Sequence, residues 1–152
     1  MTIKTGKAPI ARHSRTVGFV LAGYWIVLFI STHIPLPSVK GLPQHSDKPV
    51  HSFAYMVLSY LIMLWFSARR PEGRGRYLLA LAVTFCYGIL DELLQYPVKS
   101  RTPDLFDLFA DWIGSLTGLA GFALTRIAFR HWWTVNDEPP PEQRTGTGAL
   151  GR

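Results

Sequence analysis

Four long apolar segments alternate with short polar ones along the chain, and each is close to the length that a helix needs to cross a bilayer. They run from Thr16 to Ile34, Val50 to Ala68, Tyr77 to Pro97 and Leu105 to Phe129. Their middle parts lack the polar stripe that a soluble amphipathic helix carries. The pattern therefore predicts an all-α polytopic membrane protein, a bundle of four transmembrane helices within residues 16–133.

The composition agrees with a membrane location. Of the 152 residues, 48% are hydrophobic and only 17% are charged, which is too little charge to cover a soluble domain of this size. A single cysteine excludes an intrachain disulfide. Residues 1–15 are interpreted as a basic cytoplasmic lead, and residues 134–152, rich in Pro, Gly and Thr, are expected to form a disordered cytoplasmic tail.

Positive charges divide unevenly between the two sides of the predicted bundle. Twelve of the 16 Lys and Arg residues fall on the side of the two termini and of the loop between the second and third segments. The other four fall on the opposite side. Because cytoplasmic loops retain Lys and Arg, both termini are expected in the cytoplasm. This distribution accounts for the net charge of +6 without a nucleic-acid partner.

Six of the ten acidic residues fall on the outer side, several of them at membrane depth. They are Asp47, Asp91, Glu92, Asp104, Asp107 and Asp111. Charged groups within a membrane are costly, so they normally face the interior of a bundle and mark a function or a partner. Spacings of three and four residues place the last three on one stripe of the fourth helix. We expect that stripe to meet Glu92, His51 and Arg101 in a polar pocket that opens outward.

Some of these residues also have a structural interpretation. Thr102, Pro103 and Asp104 are typical of a helix start, with a cap, a proline at the first helical position and an acid near the positive end of the dipole. That structural role is favoured for Asp104. For Asp47, which precedes Pro49, a cap and a site are equal alternatives.

Other residues at the outer side are interpreted from their depth. Glu92 and Asp111 lie deeper and have no capping role to explain them, so a functional role is favoured. The alternative is that these buried acids pair with Arg101 and Lys48 and hold helices together. His33, at the end of the first segment, is expected to be an interfacial residue.

Three short motifs follow one another along the outer ends of the predicted helices. They are Asp47-Lys48-x-x-His51, Asp91-Glu92-x-x-Gln95 and Arg101-x-x-Asp104-x-x-Asp107-x-x-x-Asp111, with Gly114 and Gly118 after them. Over about residues 33–121 this series strongly resembles the VanZ-like family of small bacterial membrane proteins. It departs from the family pattern at Asp111, where members often have Asn. The resemblance implies a multi-pass protein of the bacterial inner membrane, and the family's namesake is associated with resistance to the glycopeptide teicoplanin.

The first functional hypothesis is that the outer pocket binds or modifies a cell-envelope lipid or a lipid-linked wall precursor. The candidate catalytic residues are Glu92, His51, Asp107 and Asp47. The candidate substrate-binding residues are Arg101, Lys48, Gln95 and Asp111. Among these, Arg101 and Lys48 suit an anionic headgroup. A divalent metal would suit the mixture of carboxylate and imidazole, but no zinc signature is present and the sequence names no cofactor.

Two alternatives stay open. A non-enzymatic membrane scaffold or partner-binding module would use the polar residues to fix the bundle. In support of it, Gly114, Gly118 and Gly121 are spaced four and three residues apart and predict close packing of the fourth helix. A small transporter is the third alternative, although four spans without internal repeats are few for a carrier that does not oligomerise. The sequence determines neither the substrate nor the oligomeric state.

Overall fold

The structure of the protein, a computed structural model, describes residues 13–33, 48–69, 73, 75–96 and 104–129. This part of the chain forms the helices α1 (Ser14–His33), α2 (Lys48–Arg69), α3 (Gly75–Gln95) and α4 (Leu105–Ala128). Each helix is long and apolar enough to cross a membrane, and the described residues contain no strand. The all-α bundle of four membrane helices is therefore confirmed. The tail at 134–152 and residues 1–12 of the lead lie outside the described residues.

Large apolar side chains cover the outside of the bundle. Phe19, Leu78 and Ile127 are each more than two-thirds exposed. In every helix no more than 33% of the most apolar stretch is buried inside the molecule. Exposed apolar side chains suit contact with lipid and not with water. The helices also satisfy their backbone polar groups internally, as the interior of a bilayer requires. The chain is accordingly a multi-pass membrane protein.

The central helix of the bundle is α2, which contacts each of the other three. Its Tyr55, Leu58 and Met63 side chains are completely buried, and they share one apolar cluster with Phe122 of α4. Within the described residues α1 contacts α2 and α3 but not α4. The first helix therefore buries a smaller fraction of its surface against the bundle than any of the other three helices.

The most extensive contact joins α2 and α4, which are not consecutive in the chain. The two helices run parallel, so the residue numbers of contacting pairs increase together along both. These pairs are His51–Asp111, Ser52–Gly114 and Met56–Gly118. A Cβ atom at Gly114 would overlap the backbone carbonyl of Ser52, and one at Gly118 would overlap that of Met56. The missing side chains thus allow the two backbones to approach closely. Gly121 has open space around it, so the expectation that it also supports close packing is wrong.

The start of α4 differs from the sequence expectation. Its N-cap is Asp104 and not Thr102, and the helix begins at Leu105 instead of Pro103. Asp104 has an extended backbone (φ −124°, ψ 117°), and its carboxylate accepts the N–H of Phe106 at 2.9 Å. The physical reason lies in α3: Glu92 Oε2 accepts the backbone N–H of Asp104 at 3.1 Å, which ties this residue to the neighbouring helix.

Candidate functional site

Polar side chains from all four helices meet at one end of the bundle, where α1 and α3 end and α2 and α4 begin. We call this region the polar end; its members are Thr32, His33, Lys48, His51, Asp91, Glu92, Gln95, Asp104, Asp107 and Asp111. Every Asp and Glu that the structure describes belongs to it. Asp91 and Asp111 are the deepest, with 1% and 0% of their surface exposed. Groups buried to this extent need compensating contacts.

The ammonium of Lys48 joins two carboxylates of α4. Its Nζ donates to Asp104 Oδ2 and to Asp107 Oδ1, each at 2.7 Å, and lies 5.7 Å from the centre of the Phe106 ring. The positive charge of Lys48 is therefore matched inside the bundle. Binding of an anionic headgroup by Lys48 stays a prediction, and such a headgroup would compete with these two aspartates.

Deeper along the same pair of helices, His51 faces Asp111. The imidazole Nδ1 lies 3.3 Å from Asp111 Oδ1, so an N–H at this nitrogen donates to the carboxylate. The second oxygen, Oδ2, is buried and has no hydrogen-bond partner among the described residues. The hydroxyl of Tyr55 and the Oγ of Ser115 are likewise buried and have no hydrogen-bond partner among the described residues. The interior below the polar end thus contains unused hydrogen-bonding capacity.

On the other side of the polar end, Asp91 joins α3 to α1. Its Oδ1 accepts the hydroxyl of Thr32 and its Oδ2 accepts the amide of Gln95, both at 2.9 Å. His33 Nδ1 lies 3.8 Å from Asp91 Oδ1, and the imidazole ring stacks on Phe29 with centroids 4.1 Å apart. His33, expected to be interfacial, therefore also contacts Asp91 within the polar end. Only 18% of its side chain is exposed.

Glu92 follows Asp91 in sequence but faces a different neighbour. One oxygen, Oε2, accepts the Asp104 N–H at the start of α4. The other, Oε1, is buried and has no hydrogen-bond partner in the described part of the chain. Glu92 consequently has both a structural contact and an oxygen that is available to a ligand.

An apolar groove between α3 and α4 reaches the polar end from the side. It has a volume of about 340 Å³, and its walls include Ile89, Leu93, Leu105 and Leu108. The carboxylate residues Glu92 and Asp104 also line it. Because the lining is otherwise apolar and faces the exterior of the bundle, an apolar chain in this groove would lie beside two acids.

Six of the eight candidate residues from the sequence meet at the polar end: Glu92, His51, Asp107, Lys48, Gln95 and Asp111. The other two, Asp47 and Arg101, lie outside the described residues. Sequence reasoning placed Asp91 among the outer acids and in a motif but not among the eight candidate residues, and it missed Thr32. The four-residue spacing between Asp91 and Gln95 indicated that these two side chains share a helix face. Nothing in the sequence indicated a role for Thr32. Among the residues described, no group of three or more His, Cys, Asp or Glu is placed to hold a metal ion.

Comparison with known proteins identifies the family of this chain. No curated protein and no solved structure matches the chain. The VanZ/LLP1 family matches residues 40–127, which is more than half of the sequence. The matched region contains every member of the polar end except Thr32 and His33. The resemblance in the sequence is therefore confirmed, and the chain belongs to the VanZ/LLP1 family.

Proposed function

We propose that the polar end faces the outside of the bacterial inner membrane and binds or modifies a cell-envelope lipid or a lipid-linked wall precursor. The observation that carries this proposal is the groove between α3 and α4, which leads from the apolar exterior to Glu92 and Asp104. Ligand sites are typically apolar clefts with a few polar groups, and their volumes begin near the value found here. An amphiphile could occupy this groove without leaving the bilayer.

Glu92 is the residue to which we assign the acid–base role. Its Oε2 is held by the Asp104 N–H, so the side chain has a fixed position. Its Oε1 can accept a hydrogen bond or a proton from a headgroup hydroxyl. Asp111 orients the imidazole of His51 through Nδ1, and an imidazole fixed in this way suits proton transfer.

The charge of the polar end restricts the headgroup. The described part contains five carboxylate residues and only one Lys, which two of those carboxylates already contact. A phosphate would therefore need a further cation. Arg101 is the residue that the sequence assigns to this role, and we infer that Lys48 positions Asp104 and Asp107.

The principal test is substitution of Glu92 by Gln, which keeps the size and an oxygen that can accept the Asp104 N–H. Cells would express the wild type, Glu92→Gln or no protein, at matched levels in the membrane. Mass spectrometry of envelope lipids and lipid-linked precursors is expected to find a species that changes only with the wild type. General acid–base catalysis is typically worth about 100-fold or more, so Glu92→Gln should remove nearly all of the change.

A second arm of this experiment tests the groove. Leu105→Trp would fill it from an exposed position, and Leu116→Trp is the matched control on the same helix, where the leucine is also exposed. The lipid change should be lost in Leu105→Trp and kept in Leu116→Trp. Equal lipid profiles in the wild type, Glu92→Gln and empty cells would argue against the proposed function.

A scaffold role is the second candidate, because the polar contacts join α1 to α3, α2 to α4 and α3 to α4. A scaffold would tolerate Glu92→Gln, since the amide oxygen still accepts the Asp104 N–H. The same set of cells therefore distinguishes the two functions, because Glu92→Gln abolishes the lipid change only if Glu92 has the acid–base role. If the lipid change concerns a wall precursor, the expression of the protein should also alter sensitivity to teicoplanin, as the family's namesake suggests.

The proposed orientation is tested separately with reporter fusions. The sequence assigns twelve of the 16 Lys and Arg residues to segments expected on the side of the termini, so we expect green fluorescent protein at the C-terminus to fluoresce and alkaline phosphatase there to be inactive. Phosphatase inserted between residues 34 and 47 should be active. Active phosphatase at the C-terminus would contradict the orientation.

A further inference from the structure

A second groove, at the end of the bundle opposite the polar end, has a different chemistry. It lies between the start of α1 and the end of α2 and has a volume of about 400 Å³. Arg15 and Arg69 line it together with the apolar residues Phe19 and Trp25. None of the acidic residues that the structure describes lies at this end. The groove therefore combines positive charge with an apolar wall.

The two arginines have no carboxylate partner among the described residues. Arg69 lies over the indole of Trp65, with its guanidinium carbon 4.6 Å from the ring centre, and Arg15 takes part in no described ion pair. Stacking on an aromatic ring restricts the guanidinium but leaves its N–H donors in the ring plane free to bind oxygen. Both charges can consequently be matched by an external anion.

The apolar wall depends on a residue without a side chain. A Cβ atom on Gly18 would lie 3.0 Å from Nε1 of Trp65, a tight contact, so a side chain at this position would press against the indole. The close approach places Trp65 between the two helices, where it lines the groove. Tryptophan is common at membrane interfaces, where its ring is apolar and its N–H can bind a polar group.

From these features we propose that the groove binds an anionic phospholipid of the leaflet at that end of the bundle. The phosphate lies between the guanidinium groups of Arg15 and Arg69, and an acyl chain follows the wall formed by Phe19 and Trp25. Charge complementarity selects an anionic headgroup over a zwitterionic one, and the apolar wall selects a lipid over a free anion. This site shares no residue with the polar end, so the proposal does not depend on the proposed function.

The test is native mass spectrometry of the purified full chain in detergent, with phosphatidylglycerol or phosphatidylethanolamine added. The wild type should retain phosphatidylglycerol in preference to phosphatidylethanolamine. The double variant Arg15→Gln/Arg69→Gln should lose this preference. Its affinity for phosphatidylglycerol should fall about fivefold for each arginine removed. Arg126→Gln is the control for charge outside the groove, since it removes a positive charge at the same end, one instead of two, from a residue that does not line the groove.

Two further arms distinguish a lipid site from simple charge attraction. Gly18→Leu keeps both arginines but obstructs the groove, so it should also weaken retention of phosphatidylglycerol. Inorganic phosphate at millimolar concentration should not displace the lipid. The proposal is overturned if the double variant binds phosphatidylglycerol as Arg126→Gln does, or if inorganic phosphate displaces it. Unchanged thermal unfolding of the double variant, whose two arginines are exposed, confirms that the effect is not misfolding.

Discussion

Replacement of Gly114 by Ala is expected to destabilise the bundle by about 3 kcal/mol, the upper part of the usual range for overpacking. The added Cβ atom would overlap the backbone carbonyl of Ser52, and a backbone group cannot rotate away as a side chain can. The clash is relieved only if α2 and α4 separate. That movement would also weaken the contact between His51 and Asp111, which lies one turn away.

The matched control for this prediction is Gly121→Ala on the same helix. Its Cβ atom would meet nothing within 4 Å, so the substitution should be neutral or should stabilise α4 by up to about 1 kcal/mol through helix propensity. Unfolding in mixed micelles with increasing dodecyl sulfate, followed by tryptophan fluorescence, measures both variants. Equal midpoints for Gly114→Ala and Gly121→Ala would refute the close packing of α2 and α4.

Replacement of Asp91 by Leu is expected to cost about 2 kcal/mol and to loosen α1 from the bundle. Asp91 is 1% exposed and accepts hydrogen bonds from Thr32 and Gln95, so the change removes the polar link to α1 and leaves the Gln95 amide without this acceptor, while the Thr32 hydroxyl can still donate to the Phe29 carbonyl. Removal of one partner from a buried polar contact is costly because the other partners stay behind. The first helix should respond most, because it has the smallest buried fraction of the four.

The control variant is Asp91→Asn, whose amide oxygen can still accept the Thr32 hydroxyl. Thermal unfolding in detergent measures the stability of both variants. Attachment of α1 is followed by limited proteolysis between residues 34 and 47. Asp91→Leu should unfold at a lower temperature and be cleaved faster than Asp91→Asn. If the two variants behave alike, the hydrogen bonds to Asp91 do not hold α1 in place.

The positions of the four helices could be predicted from the sequence to within two residues at each end. This accuracy has a physical cause, since the bilayer sets a minimum length for each apolar segment and makes internal hydrogen bonding obligatory. The shared face of Asp107 and Asp111 was likewise predictable, because helical periodicity alone puts residues four apart on one side; Asp104, expected on the same stripe, is instead the N-cap just before the helix.

The partners of the buried polar groups were much less predictable. Thr32 and Asp91 are 59 residues apart, and their contact depends on how α1 is rotated against α3, which local periodicity does not determine. For Lys48, the sequence showed a cation near several acids but not that two carboxylates contact it. The start of α4 shifted for a similar reason, since Glu92 of another helix binds the Asp104 backbone.

The parallel pairing of α2 with α4 has a consequence for biosynthesis. A ribosome delivers the helices to the membrane in chain order, so α2 is inserted while the partner that contacts it most is still unmade. Until α4 arrives, Lys48 and His51 lack the three aspartates that the finished bundle supplies. A nascent chain that stops after α3 therefore lacks these contacts near one face of the membrane, and completion of the last helix supplies them.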